Sequence, residues 1–299
     1  APDALSLARA GGLLWVGGRA GLLEARAPEG SVALSATLGA EGGVLALAPS
    51  PDGARLYAAT YGRVHGVDAA TGDVLGSAAV EGLFRALAVS PEGDTVYVTA
   101  YDAAEGQAYL VALDATTLAP RSRAPVPADP AEIVTDPATG RVFVLSSGGD
   151  LAVYDAAFAP LATLPVGLGP RHLAIDPAAR RVYASAEGSD NVYAVDADAL
   201  VVSQVVPLAG RYVVLAVDPA SGRIFVAAAS ADRLLVVEPG GEVREWPLGA
   251  YPFAVSPLPE EGLVAALTRN PPRLWLLSVE DGRVGVVDLH HSRFEPGGQ

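Results

Sequence analysis

The chain has 299 residues, of which 51% are hydrophobic, and a formal net charge of −14, so it is long enough to bury a large core. All 20 basic residues are arginines and form no basic stripe, which argues against a nucleic-acid partner. The absence of cysteine excludes thiol nucleophiles, thiolate metal sites, disulfides and cysteine-linked haem. The acidic balance and the lack of a long apolar run argue against membrane insertion.

A hairpin pattern recurs along the whole chain. In its clearest copy, residues 87–89 are typical of a strand, Ser90-Pro91-Glu92-Gly93 of a turn, and residues 96–98 of the returning strand. The turn proline, which follows Ser or Asp, recurs every 38 to 46 residues as Pro51, Pro91, Pro137, Pro177, Pro219 and Pro257. A period of roughly 40 residues with four short strands per copy indicates a β-propeller.

An aromatic residue follows each of the first five prolines by six positions, and we predict that it is buried between neighbouring sheets. These residues are Tyr57, Tyr97, Phe143, Tyr183 and Phe225. A degenerate first copy has Arg9 in place of the proline and Trp15 in the aromatic position, while the last copy has a longer turn after Pro257. The repeats therefore number seven.

In chain order, the pattern predicts one all-β, seven-bladed propeller domain over residues 1–299, with four antiparallel strands per blade. The blades are expected at about 2–42, 43–82, 83–128, 129–168, 169–209, 210–249 and 250–289, followed by a tail at 290–299. The third blade carries an insertion at 101–107. Because the first predicted strand is innermost and the last is outermost, each blade is expected to be contiguous in sequence.

One acidic residue per blade ends the third strand in five of the repeats. The side chain of an aspartate in this position can accept hydrogen bonds from backbone N–H groups of the following turn. We therefore interpret these residues as turn residues rather than as ligands of an ion. They are Asp68, Asp114, Asp155, Asp196 and Glu238.

The residues Tyr97-Val98-Thr99-Ala100 are similar to the Tyr-Val-Thr-Asn signature of YVTN-type propellers. The Ser/Asp-Pro-x-x-Gly turn and the Val-x-Val-Asp end of the third strand also resemble that family, and the resemblance covers essentially all seven repeats. The resemblance implies the propeller fold, and functions ranging from periplasmic binding proteins through lactonase-like enzymes to propeller subunits of quinoprotein and haem enzymes. The signature asparagine is replaced by Ala100, so no role of that amide carries over.

Propeller sites usually surround the central channel where the innermost strands begin. Alignment on the turn prolines places six candidate ligand-binding residues there, which we call the channel mouth: Arg85, Glu132, Arg171, His172, Tyr212 and Tyr251. Two arginines could hold a carboxylate or phosphate through bidentate hydrogen bonds. The alternative is that Arg85 and Arg171 pair with Glu132 and Asp3 and fill a wet channel.

Catalytic and metal chemistry have little support in the sequence. His172 could act as a general base, but it has no evident nucleophile beside it. The aligned ring supplies only Asp3 and Glu132 as carboxylates, too few for a lactonase-like metal site. The adjacent His290 and His291 would point apart on an extended tail. We expect no metal, no cofactor and no catalytic residue.

The sequence therefore favours a non-catalytic scaffold that binds a protein partner or a small anionic ligand at the channel mouth. The alternative is a YVTN-type enzyme or enzyme subunit, such as a lactonase-like hydrolase or the propeller partner of a quinoprotein or haem redox complex. The start Ala1-Pro2-Asp3 fits a chain from which a secretory signal was removed, so a secreted or periplasmic location is expected. The oligomeric state does not follow from the sequence.

Overall fold

The computed structural model describes residues 4–27, 31–39, 43–80, 82–207, 213–228, 232–239, 241–248, 250–270, 272–280 and 283–288. For a few strand residues, Arg85 among them, it describes the backbone but not the side chain. The described residues form seven four-stranded antiparallel sheets, with three short 3-10 turns. The predicted fold class, an all-β seven-bladed propeller, is confirmed. No helix within these ranges is long and apolar enough to cross a membrane.

Each sheet consists of four strands, A to D, that are consecutive in the chain and pair in that order. Blade 1 has β1 (Ala4–Ala10), β2 (Leu13–Gly18), β3 (Leu22–Arg26) and β4 (Val32–Thr37). Blade 2 has β5 (Ala46–Pro49), β6 (Arg55–Thr60), β7 (Arg63–Asp68) and β8 (Val74–Ala79). Blade 3 has β9 (Leu83–Val89), β10 (Thr95–Asp102), β11 (Gln107–Asp114) and β12 (Pro120–Val126).

The remaining blades repeat this arrangement. Blade 4 has β13 (Pro130–Thr135), β14 (Val142–Ser146), β15 (Asp150–Tyr154) and β16 (Pro160–Pro165). Blade 5 has β17 (Pro170–Asp176), β18 (Arg181–Ala186), β19 (Asn191–Asp196) and β20 (Val201–Pro207). Blade 6 has β21 (Val213–Asp218), β22 (Arg223–Ala228), β23 (Arg233–Val237) and β24 (Val243–Pro247). Blade 7 has β25 (Ala250–Leu258), β26 (Leu263–Asn270), β27 (Pro272–Ser278) and β28 (Val284–Asp288), and the 3-10 turns span Arg19–Gly21, Glu187–Ser189 and Pro259–Glu261.

The A–B turns adopt the geometry that their sequence predicts. Gly53 and Gly93 have φ angles of 68° and 74°, a region that glycine enters without steric cost. Their N–H groups donate to the carbonyls of Ser50 and Ser90 at 2.9 Å and so close each turn.

The insertion predicted at 101–107 in blade 3 lengthens the hairpin of strands B and C, and residues 103–106 form its turn. Strands β10 and β11 extend through it and pair as far as Asp102 and Gln107. The longer hairpin is braced by its side chains, because the Arg123 guanidinium lies 4.2 Å from the centre of the Tyr109 ring and the Tyr109 hydroxyl donates to Glu105.

Four of the five predicted turn carboxylates act as turn residues. One oxygen of each accepts two backbone N–H groups at 2.7–2.9 Å, in Asp68, Asp114, Asp155 and Asp196. Glu238 closes its turn through its backbone, which bonds Glu242 and Gly241, but its carboxylate accepts hydrogen bonds from Arg223 and Arg244 on the adjoining strands. Its extra methylene carries the carboxylate past the turn backbone to these guanidinium groups.

The five aromatic residues at the repeated position are buried, as predicted, with exposures between 0% and 8%, and Trp15 in the first repeat is also fully buried. These six residues lie in six different apolar clusters, and a seventh cluster joins blades 7 and 1 without one of them. Each of the seven clusters joins two neighbouring blades. The hydroxyl of one of these side chains also forms a hydrogen bond to the next blade: the Tyr57 hydroxyl donates to the Ala115 carbonyl at 2.8 Å. Sheet-to-sheet burial is therefore the main stabilising interaction.

Each sheet comes from one contiguous segment of the chain. Among the described strands, therefore, none from one end of the chain completes a blade at the other end. Blades 7 and 1 meet through a cluster that includes Leu14, Val16 and Leu267. One ion-pair group also crosses this seam, since Arg9 Nη2 lies 2.8 Å from Glu260 Oε2 and 2.8 Å from Glu261 Oε1. Arg9 occupies the proline position of the irregular first repeat, and the two glutamates lie in the long turn of the irregular last repeat.

A buried carboxylate connects blades 4 and 5 at the A–B turn that follows strand β13. Asp136 is fully buried and accepts hydrogen bonds from Arg180 Nη1 and Nη2 at 2.6 and 2.7 Å. Arg180 also pairs with Asp198 in its own blade. Burial opposes ionisation of Asp136, but the hydrogen bonds from Arg180 and Thr139 outweigh it and lower the pKa of this carboxyl.

We expect the substitution Phe143→Ala to lower the free energy of unfolding by about 3–5 kcal/mol, because it empties a fully buried aromatic position. Chemical denaturation measures the loss. Leu161→Ala, on an outer strand with 44% exposure, is the control and should cost less than about 0.5 kcal/mol. Equal losses in the two variants would contradict the burial of Phe143 between neighbouring sheets.

We expect Arg9→Ala to destabilise the closed ring by about 1–3 kcal/mol, since it leaves the partly buried Glu261 without its partner. The matched control is Arg233→Ala, which removes an exposed pair with Glu245 and should cost less than about 1 kcal/mol. A double-mutant cycle of Arg9→Ala with Glu261→Ala should show coupling between the two residues. Additive losses would contradict a stabilising ion pair at this seam.

We expect Arg180→Ala to cost about 3 kcal/mol near neutral pH, because a buried carboxylate loses its cation. The pKa of Asp136 is lower in the folded than in the unfolded chain, so the pair stabilises the fold above the ordinary carboxyl pKa of about 4. The stability difference between wild type and variant should therefore shrink as the pH falls through that value and below. A difference that stays constant from neutral to acid pH would contradict this account.

Candidate functional site

The A strands of all seven blades line a cavity of about 250 Å³ at the axis of the ring. Blades 1, 2, 3, 6 and 7 contribute mainly apolar side chains, including Leu7, Leu47, Leu215 and Phe253. The described ionisable side chains that line it come from two neighbouring blades: Glu132 from blade 4, and Arg171 and His172 from blade 5. Among the described side chains, the ionisable groups therefore lie on one side of the cavity and apolar groups on the other.

Glu132 contacts blade 5 at two points. Its Oε2 atom lies 3.4 Å from His172 Nδ1 and accepts a hydrogen bond from the Leu173 backbone N–H. The side chains of Glu132 and His172 are each 33% exposed. These contacts fix one carboxylate oxygen, whereas Oε1 has no partner among the described residues.

Arg171 forms a different ion pair from the one that the sequence suggested. Its Nε atom lies 3.3 Å from Glu187 Oε2, in the 3-10 turn that follows strand β18, and the expected pair with Glu132 is not formed. Glu132 is contacted instead by His172 and the Leu173 N–H. The Arg171 side chain is 52% exposed, and its two Nη atoms have no described partner.

A β-bulge adds one residue to the A strand of blade 5 where that strand reaches the cavity. In blade 5, Pro170 is opposite Ala186 and His172 is opposite Ser185, so Arg171 is an extra residue between them. A bulge reorients side chains and breaks the strict alternation of a strand. Similar register shifts lie near the start of strand A in blades 1, 3, 4 and 7.

Two features beside the cavity were missed by the sequence analysis. Glu187, the partner of Arg171, lies in a short acidic turn that resembled an ordinary connection. Arg269, on strand β26, lies with its guanidinium 4.8 Å from the centre of the Phe253 ring. Alignment of A strands could not reveal Arg269, because it belongs to strand B and reaches the wall by stacking.

The remaining predicted residues of the channel mouth are placed differently. Tyr251 does not line the cavity; it is 53% exposed, has a φ of 58°, and donates its backbone N–H to Asp232 at 3.1 Å. That left-handed backbone turns its side chain out of the alignment with the other A strands. Tyr212, Asp3, His290 and His291 lie outside the described residues, and so does the side chain of Arg85.

The polar groups at the cavity do not form a nucleophile–base pair. Among the described lining residues Ser6 carries the one hydroxyl, and its Oγ donates to the Val44 carbonyl at 3.0 Å. Within the described ranges, no three histidine, cysteine, aspartate or glutamate side chains come together in a way that could hold a metal ion. The arrangement offers hydrogen-bond donors, one acceptor and an apolar wall, which suits binding.

No family model and no curated protein matches the chain. Among solved structures, the β-propeller domain of Cps50 (Swd1) from Myceliophteria thermophila is similar with a TM-score of 0.75 and 15% identity, over 97% of each chain. Hydrazine synthase from Kuenenia stuttgartiensis is similar with a TM-score of 0.67 and 22% identity, over 78% of this chain and 75% of that one. At these identities the likeness shows the fold alone. Membership of the YVTN family stays a prediction.

Proposed function

We propose that this protein is a non-catalytic binding scaffold whose central cavity holds an anionic group of a small ligand or of a partner protein. The observation that carries the proposal is Arg171, which lines the cavity, is half exposed, and keeps both Nη atoms without a described partner. A guanidinium in this state can accept a carboxylate or phosphate through two parallel hydrogen bonds.

The surroundings of Arg171 strengthen its attraction for an anion. The described side chains that line the cavity from the other blades are mainly apolar. A cleft with low-dielectric walls focuses the field of the charges within it. The chain as a whole carries a net charge of −14, so an accessible cation in a cavity is a local exception that can guide an anion to one place.

The same geometry favours binding over hydrolysis. His172 faces Glu132 through Nδ1, which resembles the base and orienting acid of a hydrolase, but the Ser6 hydroxyl is bonded to a backbone carbonyl rather than to the histidine. General-base catalysis requires a nucleophile within hydrogen-bond reach of the base. This observation supports the scaffold over the lactonase-like alternative.

Binding of isocaproate, a small branched carboxylate, tests the proposal by calorimetric titration at low and moderate ionic strength. We expect wild type to bind it more weakly as salt rises, and Arg171→Ala to lose about tenfold or more in affinity, as a charged hydrogen bond implies. Arg233→Ala is the matched control, because Arg233 is similarly exposed, at 55%, and also pairs with one glutamate. Equal affinities in all three proteins, or no binding by wild type, would refute the proposed function.

A further inference from the structure

The charged side of the cavity carries both signs of charge. Glu132 and Arg171 come from neighbouring blades and line the same cavity. Glu132 keeps Oε1 without a described partner, because His172 and the Leu173 N–H engage Oε2. Arg171 keeps Nη1 and Nη2, because its described ion pair uses Nε. The cavity therefore presents an unused anionic acceptor and an unused cationic donor from neighbouring blades.

This pairing restricts the charge of a ligand. A phosphate or a dicarboxylate would satisfy Arg171 but would place additional negative charge near Glu132, where like charges repel. A simple monocarboxylate would leave Glu132 without a cation. A zwitterion satisfies both groups, since its carboxylate accepts from the guanidinium and its ammonium donates to the Glu132 carboxylate.

The rest of the wall and the volume restrict its size and polarity. Leu7, Leu47, Leu87, Leu215 and Phe253 line the cavity away from the charged side. Sites for drug-sized ligands typically enclose ~300–1,000 Å³, and the volume of about 250 Å³ found in this channel lies below that range. The space thus suits a molecule with two adjacent charged groups and one short apolar group.

We propose that the channel binds a small α-amino acid with an apolar side chain. The carboxylate lies on Arg171, the ammonium lies on Glu132, and the side chain packs against the leucines and Phe253. This inference rests on the proposed function, since both assign the carboxylate to Arg171, and it adds the ammonium group and the apolar group.

Calorimetric titration with four related compounds tests each part. Leucine carries both charges and the apolar group, isocaproate lacks the ammonium, isoamylamine lacks the carboxylate, and glycine lacks the apolar group. We expect wild type to bind leucine about tenfold or more tightly than each of the other three. This comparison needs no variant, so a folding defect cannot obscure it.

Variants then assign the charges. Glu132→Gln should remove the advantage of leucine over isocaproate without weakening isocaproate, and Arg171→Ala should weaken both. Arg233→Ala should leave every affinity unchanged. Isocaproate binding that depends on Arg171, with leucine no tighter, would overturn this inference and leave the proposed function standing. Absence of binding by both compounds would overturn both.

Discussion

The packing of each sheet against its two neighbours is the interaction on which the whole molecule depends. Every blade buries both faces, and the repeated aromatic residues, such as Phe143 and Tyr57, fill the interfaces. A four-stranded sheet of this size cannot bury enough apolar surface alone, so stability requires a complete ring. The cavity is a consequence of that requirement, because closing seven wedge-like sheets brings their A strands together around one axis.

Ring closure makes the irregular repeats informative. The first repeat lacks the turn proline and the last repeat has a longer turn. Each departure makes that repeat a poorer match to the sequence pattern. In the structure these two turns meet, and Arg9 from one pairs with Glu260 and Glu261 from the other. The blades are contiguous in sequence, so this seam has neither a covalent link nor a described shared strand, and side-chain packing and charge must hold it.

The candidate site arises where the repeat is least symmetric. Most blades present small or branched apolar residues to the axis, whereas blades 4 and 5 present Glu132, Arg171 and His172. The bulge at Arg171 adds a residue to the blade 5 A strand at the cavity and changes the direction of the side chains there. The contact between Glu132 and blade 5 then leaves the guanidinium of Arg171 available to a ligand.

The sequence by itself determined the number of blades, the burial of the aromatic positions and most turn roles, because these depend on a period and on local backbone chemistry. It also placed Glu132, Arg171 and His172 at the axis, since equivalent positions in a radial repeat converge. Only the tertiary structure decided which charges pair: Glu187 with Arg171, His172 with Glu132, and Arg180 with Asp136. Those choices depend on bulges and on distances between turns of different blades or strands, which a repeat pattern does not encode.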